Sequence, residues 1–334
     1  MKKLKKIASI VMLAAAVVFA AGCTKPDEPN NGGNDNGGGN NGGGGGETPE
    51  VPTIPTGAID GAFTVNENGG KVYFSQGNLQ YQASTNTWRF AEHQWDYVGH
   101  GYALYNEYGV PTGEIVNSGT VDGSSNLEIA PDYPGWIDLF GFGTSGFNGK
   151  QPYMTSMDSG DYGDGENDIA GTNYDWGVYN AISNGGNQSG LWRTLTKDEW
   201  TYIVFLRQTI SGIRHAAATV NGVHGLIILP DDWDRSIYNL NNANEAWNGW
   251  PVNDIDKATW TDTFEPAGAV FLPTAGNRRG TEGGGTGPEG MLPFMGFYWS
   301  STYSKCLFFE RGVYPDYGSY AREGQSVRLV ADGR

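Results

Sequence analysis

The stretch GFYWSSTYSKCLFFERGVYPDYGSYAREGQSVRLV, Gly296 to Val330, is written in two alphabets. Phe297 to Tyr303 and Leu307 to Arg311 are rich in aromatic and β-branched residues. Ser326 to Val330 alternates polar with apolar, so that Val327 and Leu329 can face a core. Each predicts a short strand. Between the second and third, Tyr314 to Glu323 offers Tyr, Pro, Asp, Gly, Ser, Ala, Arg and Glu, and almost nothing to build a core from. Tyrosine gives large amphipathic contact area at low rotamer cost, and small polar neighbours adapt around it, which is the composition of evolved binding loops. The stretch therefore predicts a presented recognition surface, with a solvated hairpin as the plainer alternative.

Upstream, the same short-strand grammar recurs. Phe63 to Val65, Val72 to Ser75, Leu79 to Gln82 and Trp88 to Phe90 are separated by Asn/Gly or Ser/Thr/Asn clusters and predict hairpins. Gly99 to Gly135 has little periodicity and predicts long loops, before Trp136 to Phe142 returns as a buried segment. Leu195 to Ile210 predicts the one clear helix. Thr196 and Glu199 form a capping box, and Trp200, Ile203 and Val204, with Arg207 at the next helical step, repeat at helical spacing. Arg214 to Val220, Asn221-Gly222 and Val223 to Leu229 form a hairpin signature, since Asn-Gly supplies the positive φ angles of a type I′ turn. Ala269 to Leu272 adds a strand that ends at Pro273, and Asn277 to Gly290 predicts a mobile glycine-rich loop. Many short strands, one helix and long loops make the expected class α+β.

The amino-terminal end has a different character. Lys2, Lys3, Lys5 and Lys6, then the apolar run Ile7 to Ala21, then Ala20-Ala21-Gly22-Cys23, have the layout of an export signal. A cysteine directly after Ala-Ala-Gly resembles the bacterial lipobox, which implies lipidation of Cys23 and a lipid-anchored protein of the outer membrane. Residues 24–57 follow as a tether. They hold an Asn/Gly tract at Asn30 to Gly46 and spaced prolines at Pro49, Pro52 and Pro55, a composition that cannot bury enough apolar area to order itself. The basic-then-acidic residues after Cys23 resemble the surface-export tag of Bacteroidales lipoproteins, which implies a domain outside the cell. Glu28-Pro29-Asn30 spells a calcium-lectin sugar motif, but within this tether it carries no weight.

Composition excludes several functions. The chain has 21 Lys and Arg against 37 Asp and Glu, a formal net charge of −16, and four of those positive charges lie in the leader. So acidic a surface argues against nucleic acid or anionic lipid as partner. With Cys23 lipidated, only Cys306 remains, which excludes an intrachain disulfide or a cysteine metal cluster. His93, His100, His215 and His224 fall in no metal-binding spacing, and no nucleophile elbow or phosphate loop is present. Asp231-Asp232 and Asp254/Asp256 are the carboxylates that could pair as acid and base, but such pairs are common in an acidic chain. Asp164, Glu166 and Asp168 share the opening spacing of an EF-hand loop. Ile169 stands where that loop needs glycine, and its twelfth-position glutamate is missing. No cofactor, no metal and no catalytic residue is expected. Trp247, Trp250 and Trp260, with Asn253 and Asp254 nearby, form a candidate sugar-stacking cluster.

Several motifs together resemble a known family. Arg193 to Ile203, RTLTKDEWTYI, resembles the Arg-x-Leu-Pro/Thr-x-x-Glu-Trp helix start of formylglycine-generating enzymes and related C-type-lectin-like domains. YWSSTY followed by GQSVRLV is similar to the end of the Fibrobacter succinogenes major paralogous domain and its relatives among Bacteroidales lipoproteins. KVYFSQGNLQYQASTNTWRFAE at Lys71 to Glu92, NAISNGGN at Asn180 to Asn187, GLIILPDDW at Gly225 to Trp233 and GAVFLPTAGNRRG at Gly268 to Gly280 extend the likeness. The resemblance implies a C-type-lectin-like domain over residues 58–332, whose C-terminal strands and loops bind a protein or glycan ligand at a cell or phage surface. It also resembles the targets of diversity-generating retroelements, which makes residues 296–330 a candidate variable region. The implied frame is Trp299 to Thr302, Gly312, Val313, Pro315 and Gln325 to Val330. The implied ligand-binding positions are Tyr303, Ser304, Cys306, Phe308, Tyr314, Asp316, Tyr317, Ser319, Tyr320 and Ala321. Lys305, Glu310 and Glu323 depart from what adenine-directed change of an asparagine codon can produce, which leaves an undiversified, carbohydrate-binding surface lipoprotein of the same family as the alternative. The family's enzymatic branch needs a cysteine pair that this chain lacks.

Overall fold

The two ends of the folded region meet in one sheet. Lys71–Ser75 (β2) pairs antiparallel with Ala58–Thr64 (β1) on one side and with Leu329–Asp332 (β19) on the other. Arg193–Thr194 (β8) closes the order β1-β2-β19-β8. The computed structural model describes residues 54–99, 101–106, 108, 110–117, 119–244, 253–284 and 294–333. These all belong to one compact unit, Val51–Arg334. Cys23, residues 24–53, His100, Trp247 and Trp250 lie outside the described residues.

A second sheet is built on the Asn-Gly turn. Asn221 and Gly222 both take positive φ, 49° and 79°, and fold His215–Val220 (β9) onto Val223–Ile228 (β10). Val270–Pro273 (β12) extends the pair, and Asp254–Ile255 (β11) adds a parallel edge. Leu79–Gln82 (β3), Thr87–Phe90 (β4) and Trp136–Ile137 (β7) form a third sheet. The second, third and fourth strands thus lie where the sequence places them, while the first begins at Ala58, five residues before the expected Phe63, and ends at Thr64.

Within 99–135 the expectation of loops alone is corrected. Gly101–Tyr105 (β5) and Pro111–Asn117 (β6) form an antiparallel hairpin, whose glycines and mixed polarity give no alternation to read. The Asn277 to Gly290 loop is likewise corrected in part, because Asn277–Arg279 (β13) pairs with Glu282–Gly284 (β14) and with Glu323–Gly324 (β18). Residues 285–290 lie outside the described residues.

The helix begins as expected and ends early. Thr196 Oγ1 accepts the Glu199 N–H at 3.2 Å, and Glu199 accepts the Thr196 N–H at 2.8 Å, which completes the capping box. Lys197–Thr201 (α2) then widens into a π-type turn over Tyr202–Leu206. Two further short helices are Trp176–Tyr179 (α1) and Lys257–Thr259 (α3), the latter also running into a π-type turn. Trp200, Ile203 and Val204 are fully buried, as their spacing predicts. Arg207 is buried too. Its Nη1 donates to Asp231 Oδ1 at 2.9 Å and its Nη2 to the Leu229 carbonyl at 2.6 Å, while Asp231 also receives the Thr64 hydroxyl at 2.6 Å.

The architecture is α+β, small antiparallel sheets with few helices. The C-terminal sheet, Gly296–Trp299 (β15), Lys305–Phe309 (β16) and Val313–Gly318 (β17) in that order, separates two apolar clusters. Tyr298, Leu307 and Phe309 point to one side, against Phe74, Trp200 and Val330. Phe297, Trp299, Cys306 and Phe308 point to the other, toward Phe142, Trp176 and Ala321. Two expectations are corrected here. Residues 313–318 are a strand rather than a loop, and the final strand, expected over Ser326 to Val330, is Leu329–Asp332 in the terminal sheet. Pro315 sits on the outer edge strand and at its bulge, both places in a sheet where a residue without an N–H is tolerated.

Candidate ligand-binding face

The register of the C-terminal sheet gathers its rings. Phe308 lies opposite Phe297 on one neighbouring strand and opposite Tyr314 on the other, so residues distant in sequence become cross-strand neighbours. Phe308 stacks on Phe297 with centroids 4.8 Å apart, on Tyr314 at 5.7 Å, and meets Tyr317 at 4.6 Å. Such aromatic pairs stabilise a sheet by up to about 1 kcal/mol each. A bulge between Cys306 and Phe308 brings Tyr317 onto this face as well. The inner half of the same face is covered. The outer half is open, with Tyr314 51% exposed, Tyr317 43% and, on the following loop, Tyr320 59%.

Charged groups pair on the α2 side of these strands. Lys305 Nζ pairs with Asp316 Oδ1 at 2.8 Å, and Lys197, at the start of α2, stands 4.0 Å from Asp316 Oδ2. A hydrogen bond to Asp198 and the charge of Asp316 raise the Lys197 ammonium above its ordinary value. Arg322 lays its guanidinium 4.5 Å above the Tyr320 ring, a cation–π contact, while its buried Nε has no hydrogen-bond partner. Tyr303 is half-buried against Phe142, with its N–H donated to Asp168 Oδ1 at 2.8 Å.

Of the ten expected positions, the structure brings Phe308, Tyr314 and Tyr317 together on one face. Tyr320 is exposed on the following loop, and Asp316 is exposed but paired with Lys305 and Lys197 on the α2 side of the sheet. Three positions depart from the expectation of a presented surface. Cys306 is fully buried and Ala321 nearly so, both packed in the cluster around Trp299, and Ser319 is buried beneath the loop. Burial pushes the Cys306 thiol well above its ordinary value. Ser304 is half-buried and sits at φ 58°, bonded to Ser319 rather than turned outward. Phe297 is a member the sequence reading missed. Its only signal is register, because it becomes a neighbour of the face through pairing with Phe308.

The other candidates have structural roles. Asp231 is occupied by Arg207 and Thr64, and Asp256 caps α3 by accepting the Thr259 N–H at 2.7 Å. Trp260 is fully buried, stacked on Phe264 at 5.3 Å, so it leaves the sugar-stacking cluster. Asn253 is buried and donates to the Ala217 carbonyl at 2.7 Å. His215 is buried in β9, and His224 bonds Thr219 at 2.9 Å. Among the described residues no three His, Cys, Asp or Glu converge as a metal site requires, and Asp164, Glu166 and Asp168 lie on an exposed loop.

Comparison with protein-family models, with curated proteins and with solved structures found no match to this chain. The assignment of function therefore rests on the geometry of the face itself.

Proposed function

We propose that the chain is a lipid-anchored outer-membrane protein, displayed on the cell surface through Cys23. Its residues 58–332 form a C-type-lectin-like domain that binds a protein or glycan ligand with the rings of its C-terminal sheet. The function is recognition rather than catalysis. The carrying observation is the exposed pair Tyr314 and Tyr317 around Phe308, on strands whose opposite side is locked into the core, with Tyr320 exposed on the loop that follows. The lectin-like reading is supported by the placement of this face on the C-terminal strands and the loop after them. Diversification by a retroelement would act on the same outward positions.

A protein ligand suits the face better than a sugar. Phe308 stacks on Phe297 to one side and Tyr314 to the other, so the central ring keeps no free face for a pyranose. Exposed tyrosines, with Arg322 laid on Tyr320, have the composition of a protein-binding hot spot, which favours Tyr and Arg. A glycan array run with and without chelator separates the two ligand classes.

The test is the triple variant Tyr314→Ala, Tyr317→Ala, Tyr320→Ala. It should abolish binding to ligand-bearing cells or phage while lowering the melting temperature by no more than about 4 °C. Loss of the folded state would show that the rings serve the core and would remove this face as the site.

A further inference from the structure

A chain of polar contacts crosses the base of the loop that carries Tyr320. The Ser319 N–H donates to the Ser304 carbonyl at 3.0 Å, and the Ser304 hydroxyl donates back to the Ser319 carbonyl. The Ser319 hydroxyl donates to Glu323 Oε2 at 2.8 Å and accepts from the Gln325 side-chain amide. Glu323 closes the loop by donating its N–H to the Tyr320 carbonyl at 2.9 Å. Its other carboxylate oxygen takes Arg279 Nη2 at 2.9 Å and Nε at 3.1 Å, a two-pronged pairing, and the two residues are also opposite one another in the β13–β18 ladder.

Burial makes this chain consequential. Glu323 is 6% exposed and Ser319 8%, so the carboxylate has left water, and among the described residues Arg279 is the one cation paired with it. A buried charge stripped of its partner is strongly unfavourable, and it is relieved by taking up a proton or by an opening of the backbone that admits water; either change alters the hydrogen bonds that close the loop. The Arg279 side chain is itself 57% exposed, so its removal disturbs little packing of its own. The effect of losing it falls on Glu323 and on the loop that Glu323 closes.

We propose that Arg279, on a hairpin remote in sequence from the ring face, is a positioning residue for that face. Through Glu323 and Ser319 it fixes residues 318–324 and so the placement of Tyr320. Ser304, Ser319, Glu323 and Arg279 are then a clamp that must stay constant. The positions open to exchange narrow to Phe308, Tyr314, Asp316, Tyr317 and Tyr320. This inference rests on the ligand-face reading for its importance, but the clamp itself can be measured without any ligand.

The experiment is amide hydrogen exchange on the full chain carrying Arg279→Met, Arg279→Lys, or Arg279→Met with Glu323→Gln. In Arg279→Met the amides of Ser319 and Glu323 should exchange at least about tenfold faster, while those of β9 and β10 keep their wild-type rates. Arg279→Lys should recover part of the protection. The double variant should recover most of it, because a neutral amide at 323 needs no cation. A second arm uses a peptide selected on the wild-type chain that loses binding to Tyr317→Ala. Its Kd should weaken about tenfold in Arg279→Met at an unchanged melting temperature. Unchanged protection at Ser319 and Glu323 overturns the clamp, whatever the rings bind. Lost protection with full peptide affinity overturns the positioning role. If every selected peptide ignores the rings, the ligand-face reading fails, and the clamp is judged by its exchange rates alone.

Discussion

The ring of Phe309 passes so close over Gly296 that a Cβ on the glycine would lie 2.1 Å from Phe309 Cζ. The two residues face each other across β15 and β16, and the missing side chain is what lets the phenyl ring lie flat beneath Tyr298, 5.9 Å away. Gly296→Ala should therefore destabilise the protein by about 2 kcal/mol or more, the usual range for overpacking a core. Thermal unfolding checks this, and a melting temperature equal to wild type would show that Phe309 is free to move.

Arg207 and Asp231 should prove unequal when removed one at a time. Asp231→Ala leaves the Arg207 guanidinium buried with carbonyl partners alone and is expected to cost about 3–5 kcal/mol. Arg207→Met leaves Asp231 with the Thr64 hydroxyl at 2.6 Å and with Lys71 at 3.8 Å, and should cost less. Denaturant unfolding of both variants measures the order, and the reverse order would refute it.

Two buried groups set opposing pH dependences. Burial pushes the Asp138 carboxyl up to about 7, even though the Val98 N–H and the Asn126 amide donate to it at 2.7 and 2.8 Å. The folded state thus holds this proton more tightly than the unfolded chain, where the carboxyl titrates near about 3.9. Its contribution improves as pH falls from about 7 toward that value. His215 acts the other way. Burial, then the charges of Arg214 and Arg207, hold its imidazole down at about 4. Its contribution is complete above the unfolded value of about 6.5 and is lost as pH falls below it. Asp138→Asn should therefore look more favourable relative to wild type at pH 8 than at pH 5, by about 2 °C or more in melting temperature. A difference that does not change with pH would contradict the assignment.

The anchor is tested at one atom. Cys23→Ser should move the protein from the membrane fraction to the soluble fraction with the ring face intact. Unchanged fractionation would remove the lipid from the proposal.

What the sequence makes legible is local. The capping box needs only Thr196 and Glu199, three residues apart, and the Asn221-Gly222 turn needs only its own φ angles, so both are visible before any tertiary contact forms. Strand β17 is not visible in this way, because Val313 to Gly318 buries only Pro315 well and owes its strand form to pairing with β16. The exposed tyrosines of the face could be read from composition. Phe297 could not, since it joins through register. Small residues such as Cys306, Ser319 and Ala321 in a tyrosine-rich stretch give no sign of burial, and part of the cover of Cys306 and Ala321 comes from the cluster that holds Phe142 and Trp176, far along the chain. Arg279 was hidden for the same reason, its partner Glu323 being reached only after the hairpin folds over.

The pairing of β2 with β19 has a consequence for biogenesis. The strand containing Leu329–Asp332 takes an interior place, between β2 and β8, with Ala331 opposite Tyr73. Nearly the whole domain must therefore leave the ribosome before its founding sheet can close, and until then β2 waits with one edge bare. That sheet can close only when synthesis is nearly finished.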